Sequence, residues 1–261
     1  MDLVKIYNRF MEIAVFETFL KIVFKDKYYG TPGTLEGFDG NCAKLVIQFA
    51  EFMEKHVQDT EYEAIAVPAT YDDGSGHICL KVSYSDYKWL VDPVHDVLIC
   101  WDCPGRRFSP QYGSRSLVGT AYETHDGTAY NISKKFGNVL KPLYQIDHET
   151  FTQPERFQDE VEDWSQKFLD LSYVTTRVLF ARKFVWSWNL PKIIEVFSDG
   201  TENGSWQRVY TPYGIEPKIP VGLEGVCSML RSWHFQQEHI EQATTEVKNA
   251  IKEHGCPTTI V

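Results

Sequence analysis

Between residues 42 and 84 the apolar pattern changes its period, and this change limits the folds open to the chain more than any other feature. Leu45, Val46, Phe49, Ala50, Phe52 and Met53 recur at helical spacing and form one broad apolar face. After the turn signal Asp72-Asp-Gly-Ser-Gly, the run His77-Ile-Cys-Leu-Lys-Val-Ser-Tyr alternates instead, which predicts a strand. Ile78, Leu80, Val82 and Tyr84 fall on one side of that strand, His77, Cys79 and Lys81 on the other. A second turn at Ser85-Asp86 leads into Trp89-Leu-Val-Asp92, and Val97 to Trp101 continues the strand character. A helix followed by neighbouring short strands calls for a helix packed on an antiparallel sheet.

The flanking segments fit the same plan. Leu3, Ile6, Phe10, Ile13, Phe16 and Leu20 stand at helical spacing and predict one amphipathic core helix. Ala64-Ile-Ala-Val predicts a short strand that stops at Pro68. Residues 104 to 153 are rich in Gly, Ser and Tyr and weakly periodic, which predicts loops with short strands. A helix is expected from Pro154 to Leu171. A hairpin follows, Lys192 to Phe197 with Gln207 to Tyr210 about Ser198-Asp-Gly, and then a closing helix from Gln236 to His254. The order indicates an α+β fold rather than alternating βαβ units. Residues 1–103 form the expected catalytic core with its N-terminal helices. Residues 104–261 are expected to complete the substrate pocket, as a second region or as part of one continuous domain.

Charge and cysteine usage narrow the functional classes. The 36 acidic and 26 basic residues give a formal charge of -10, and no basic run exceeds a pair such as Arg106-Arg107 or Lys134-Lys135. Nucleic acid is therefore not an expected partner. No apolar run approaches the roughly 18 residues of a membrane-spanning helix. The N-terminus lacks the basic-then-apolar order of a secretory signal, so a cytoplasmic location is expected. Six cysteines in 261 residues do not make a disulfide framework, and reduced thiols are the expectation. One of those thiols is then free for catalysis.

Cys42 stands in Gly40-Asn41-Cys42, where a Gly-rich link meets the predicted helix. A thiol there meets the positive end of the peptide dipole, which favours thiolate. Its backbone N–H, in the first helical turn, is free to donate to an oxyanion. His77 opens a strand and Asp92 ends the next, so two antiparallel neighbours bring them side by side. Taken singly, each residue has a plain structural explanation: a packed thiol, a turn histidine, an aspartate before proline. Together they form the set that nucleophilic catalysis requires, with a base to take the thiol proton and a carboxylate to orient the base.

Gly-Asn-Cys at a helix start, Gly-His opening a strand and Tyr-Lys-Trp-Leu-Val-Asp-Pro after it resemble the core of the transglutaminase-like (papain-like) enzymes and of their relatives, the arylamine N-acetyltransferases. The likeness covers about residues 37 to 96. It implies Cys42 as nucleophile, His77 as base and Asp92 as orienting carboxylate; Gly40, Asn41 and Trp89 are expected to lie against the substrate. Trp89-Leu-Val-Asp92-Pro93 leans towards the transglutaminase-like branch. The acetyltransferases usually carry Arg-Gly-Gly before the cysteine and Val-Gly-Phe-Gly after the aspartate. Here those positions read Phe38-Asp39-Gly40-Asn41 and Pro93-Val94-His95-Asp96.

Cys100-Trp-Asp-Cys103 has the spacing of half a zinc site or of a redox pair, but no second pair exists in the sequence. No metal and no cofactor is expected. The leading expectation is acyl transfer between a small-molecule donor and acceptor through a Cys42 thioester. A cysteine hydrolase of the same superfamily and a catalytically silent binding module are the alternatives.

Overall fold

The helical spacing at the N-terminus breaks at Ile13. In the computed structural model, which describes residues 3–57, 61–84, 86–101, 114–168, 178–187 and 190–254, α1 spans Leu3–Ile13 and buries Leu3, Ile6 and Phe10. Phe16 lies instead in a short strand, β1 (Val15–Glu17), and Leu20 opens a second helix, α2 (Leu20–Phe24). The single predicted helix is thus split. Two strand partners claim the backbone of Val15 to Glu17, and ladder hydrogen bonds outweigh a modest helical preference.

A 3-10 turn (Lys25–Gly30) and a loop lead to β2 (Asp39–Gly40), which runs parallel to β1, and then to α3 (Cys42–His56). Four strands follow: β3 (Tyr62–Thr70), β4 (Gly76–Tyr84), β5 (Tyr87–Asp92) and β6 (Val97–Cys100). β3 continues through Pro68, past its predicted end. β10 reaches β3 only at Thr70, so most of that edge has no strand partner, and an edge position tolerates a residue without an N–H.

The segment expected to be mostly loops also holds regular structure. After β7 (Ser114–Arg115) come β8 (Thr120–His125), β9 (Ala129–Phe136) and β10 (Val139–Asp147), an antiparallel meander. Its alternation is hidden in the sequence because Lys134 occupies an inward position, 1% exposed and ion-paired to Asp96. α4 (His148–Thr152), a 3-10 turn (Pro154–Phe157) and α5 (Gln158–Lys167) occupy the next helical region. β11 (Leu179–Ser187), β12 (Leu190–Ser198) and β13 (Ser205–Thr211) form hairpins, the second turning where Ser198-Asp-Gly predicts it. Short β14 (Gly214–Ile215) and β15 (Ile219–Pro220) precede α6 (Gly222–Ser232) and α7 (Gln237–His254).

The fold is α+β, with two mainly antiparallel sheets. One has the order β14-β13-β12-β11-β1-β2 with β15 beside β13; the other runs β7-β6-β5-β4-β3-β10-β9-β8. Each sheet joins strands from both sides of residue 103. α1 and α3 pack with the Ile78, Leu80 and Val82 face of β4 in the largest core cluster, where every side chain of that size contributes about 1.5–3 kcal/mol on burial. Cys79, Leu90 and Ile99 fill a second core on the other face. No described helix is long and apolar enough to cross a membrane.

Candidate active site

The loop before α3 is tied down by one buried aspartate. Asp39 Oδ2 accepts from the backbone N–H of Gly33 (2.8 Å) and Thr34 (2.9 Å), and Oδ1 accepts from Lys44 Nζ at 3.1 Å. Gly40 follows with φ +147°, and a Cβ there would meet the Lys44 side chain at 2.5 Å, so the position demands glycine. Asn41 caps the helix: its Oδ1 accepts from Lys44 N at 3.0 Å, and its own N–H donates to Tyr28 Oη at 2.7 Å. Such a cap contributes about 1 kcal/mol. Cys42 is then the first helical residue, 8% exposed, with its N–H among those the helix cannot satisfy.

His77 and Asp92 meet as the strand order predicts. Continuing the β4–β5 register, Asp92 stands opposite Cys79, and His77 is its diagonal neighbour on the same face. His77 Nε2 is 3.0 Å from Asp92 Oδ2, and both side chains are buried. The other carboxylate oxygen accepts from the N–H groups of Val94 (2.9 Å) and His95 (3.3 Å). Burial by itself favours neutral His77, but the Asp92 carboxylate and then Cys42, which faces the same ring, outweigh it and raise His77 to about 10. Burial likewise opposes the charge on Asp92. The neighbouring imidazoles and its hydrogen bonds prevail and hold the carboxyl well below its ordinary range.

Three neighbours of this pair carry little signal in the sequence. Tyr71 Oη lies 3.2 Å from His77 Nδ1 and 2.9 Å from His95 Nε2, linking the two imidazoles. Burial pushes His95 well below its ordinary 6.5, so it is neutral near pH 7. Arg182 Nη1 approaches His95 Nδ1 at 3.4 Å, and Arg182 Nη2 donates to Glu195 Oε2 at 2.7 Å. Tyr71 could have been found from its place just before the Asp72-Asp-Gly turn, and His95 from its spacing after Asp92. Arg182 lies 90 residues beyond Asp92 on the other sheet, beyond the reach of any local pattern.

A cavity of about 140 Å³ opens beside Cys42. Asn41, Tyr71, Val94 and His95 contribute to its wall from the first half of the chain, and Val178, Phe180 and Arg182 from the second. Thr18 Oγ1 is buried on this wall with no hydrogen-bond partner among the described residues. Of the six residues singled out by sequence, Cys42 and Asn41 line the cavity, with His77 and Asp92 directly behind. Gly40 shapes the approach through its backbone. Trp89 does not line it. Side chains alternate along β5, so Trp89 shares the Val91 face and packs on the main core, whereas Asp92 lies on the opposite face with Leu90.

His77, Asp92 and His95 each offer one ligand atom within 4.8 Å of the others, the single such cluster among the described residues. Those atoms are engaged in the hydrogen bonds to one another and to Tyr71, so a cation would have to displace them. The Cys100–Cys103 motif is only half described. Cys100 is buried and disulfide-bonded, Cys103 lies outside the described residues, and Cys42, Cys79 and Cys227 are free thiols. The expectation of reduced thiols therefore fails at Cys100.

No protein-family model and no curated protein matches the chain. Solved structures do. An arylamine N-acetyltransferase from M. tuberculosis is 14% identical with a TM-score of 0.64, covering 94% of this chain and 92% of that one. The Salmonella typhimurium enzyme is 9% identical with a TM-score of 0.62, over 92% and 89%. The Mycobacterium marinum enzyme in complex with CoA is 13% identical with a TM-score of 0.57, over 93% and 91%. The chain thus shares the fold of these arylamine N-acetyltransferases over nearly its full length.

Proposed function

We propose that the chain is a cysteine-dependent acyltransferase that moves an acyl group from a thioester to an amine by way of Cys42. The observation carrying this reading is the buried His77–Asp92 pair, 3.0 Å apart, set behind a cysteine that begins a helix and borders a cavity. The fold shared with acetyltransferases, one of them in complex with CoA, supports a thioester donor such as an acyl-CoA.

The chemistry follows from the charges. His77 takes the Cys42 proton, and its elevated basicity retains that proton as imidazolium beside Asp92. The thiolate attacks the thioester carbonyl, and the Cys42 N–H at the start of α3 offers a donor to the developing oxyanion. The bond to the departing thiol breaks as His77 returns the proton to it, leaving acyl-Cys42. An amine then attacks, His77 accepts the amine proton, and the amide leaves as Cys42 regains its thiolate. Asp92 keeps the imidazole in one orientation throughout.

Intact-mass spectrometry after incubation with an acetyl thioester tests this. The expected result is one acetyl adduct on Cys42 that an added arylamine discharges as amide, lost in Cys42→Ala. Labelling spread over Cys79 or Cys227, or no adduct at all, would overturn it. Discharge by water at an unchanged rate with or without amine would make the protein a hydrolase.

A further inference from the structure

The chain as a whole is acidic, with 36 Asp and Glu against 26 Lys and Arg, yet the cavity beside Cys42 has the opposite character. Among the described residues, Lys21, Lys141 and Arg182 line it, and no carboxylate does. His95, Lys141 and Arg182 also border a narrower space of about 20 Å³ that again has no acidic lining among the described residues. Burial disfavours a cation unless a partner offsets the cost.

The three cations differ in how far they are already satisfied. Arg182 is matched to Glu195, and Tyr210 Oη also donates to that carboxylate, at 3.2 Å to each oxygen. One Arg182 atom, Nε, is buried without a hydrogen-bond partner among the described residues. Lys21 Nζ donates to Phe168 O at 2.8 Å and, partly freed of its charge by burial, sits at about 8. Lys141 has no hydrogen bond or ion pair among the described residues. Arg182 and Arg208 repel its ammonium, and the nearby Glu195 is already engaged. Lys134, by contrast, is spent on Asp96 Oδ2 (2.8 Å) and two carbonyls. An anion bound between Lys141 and the Arg182 edge would complete both groups.

We propose that this cavity takes a substrate bearing a carboxylate, with Lys141 as its principal counter-ion and Arg182 as the second. Apolar side chains, Phe16, Val178 and Phe180, cover the space between and suit a short carbon skeleton. The carboxylate belongs either to the acyl group, as in the half-thioester of a short dicarboxylic acid, or to an aromatic amine acceptor. This inference rests on Cys42 being the reactive thiol.

Paired alkylation of Cys42 tests it without requiring acyl transfer. Iodoacetate carries the carboxylate and iodoacetamide is its neutral counterpart, and their rate ratio reads the field at Cys42. Lys141→Met is expected to lower that ratio about tenfold, the effect of removing one nearby charge from a poorly solvated site. Should the variant misfold, the wild-type protein carries the test: succinate protects Cys42 from iodoacetamide saturably, and succinamide does not. Fast alkylation with a ratio indifferent to Lys141, or equal protection by the two diacid derivatives, overturns the inference and leaves the acyltransferase reading standing. Alkylation no faster than that of an ordinary thiol sinks both.

Acylation rates then assign the source. A preference for a succinyl over a butyryl thioester that disappears in Lys141→Met places the carboxylate on the donor. A preference for 4-aminobenzoate over aniline that disappears in the same variant places it on the acceptor. Neither preference in the wild type overturns the proposal.

Discussion

Asp92 and Asp96 are four residues apart, equally buried at 0% exposure, and each faces a basic partner, yet their surroundings differ. Around Asp96 four donors converge on the carboxylate. Leu117 N, Val118 N and Ser116 Oγ donate to its oxygens, and Lys134 Nζ donates to it and to the carbonyls of His95 and Asp96. Around Asp92 the partner is an imidazole that can gain or lose its proton. That imidazole faces a free thiol and a tyrosine hydroxyl at the edge of a cavity. Buried charge alone therefore does not mark a site. A partner that can titrate, next to space for a ligand, does.

Substitutions should separate the two clusters. The largest effect is expected on rate: His77→Gln should slow acylation of Cys42 in the folded protein by about 10⁴-fold, the upper range for losing a general base. A folded fraction that acylates near the wild-type rate would make His77 a core residue of the Asp96 kind. Asp96→Ala should do the reverse. It strands the Lys134 ammonium and should lower stability by about 3–5 kcal/mol in urea unfolding, while the folded fraction alkylates at Cys42 far closer to the wild-type rate than His77→Gln does.

The pH response sharpens the contrast further. His77 is raised from 6.5 to about 10 on folding, so its contribution to stability is complete below 6.5 and disappears as pH rises through about 10. Asp92 is lowered from 3.8, so its contribution is present above that value and fades as the medium is acidified through the lower folded value. Urea midpoints of wild type and His77→Gln should accordingly converge between pH 7 and 10.5. A constant gap across that interval would remove the ionised pair from the account. The smallest effect belongs to Tyr71→Phe. It deletes one hydroxyl between two imidazoles and should lower kcat/KM about threefold to tenfold, the equivalent of a single hydrogen bond of about 1 kcal/mol.

Legibility in the sequence followed the range of the interactions. Cys42 was readable because Gly40 and Asn41 announce a helix start, and His77 and Asp92 because a short turn separates two alternating strands. Trp89 misled for a local reason: adjacency to Asp92 along the chain puts it an odd number of residues away, hence on the other face of β5. The meander of β8 to β10 was hidden by Lys134, an inward charge that looks like a surface residue until Asp96 is brought against it.

The amino-acid order by itself determined the local events: where α3 begins, which residues of β4 share a face, and that a thiol, an imidazole and a carboxylate come in that sequence on helix, strand and strand. Each depends on neighbours within a turn or a hairpin, where backbone geometry leaves few choices. Tertiary structure alone decided that Val15 to Glu17 join a sheet, that Tyr71 spans two imidazoles, and that Lys21, Lys141 and Arg182 border one cavity. Those groups come from distant parts of the chain, and their energies of burial and charge exist only once packing has excluded water from between them.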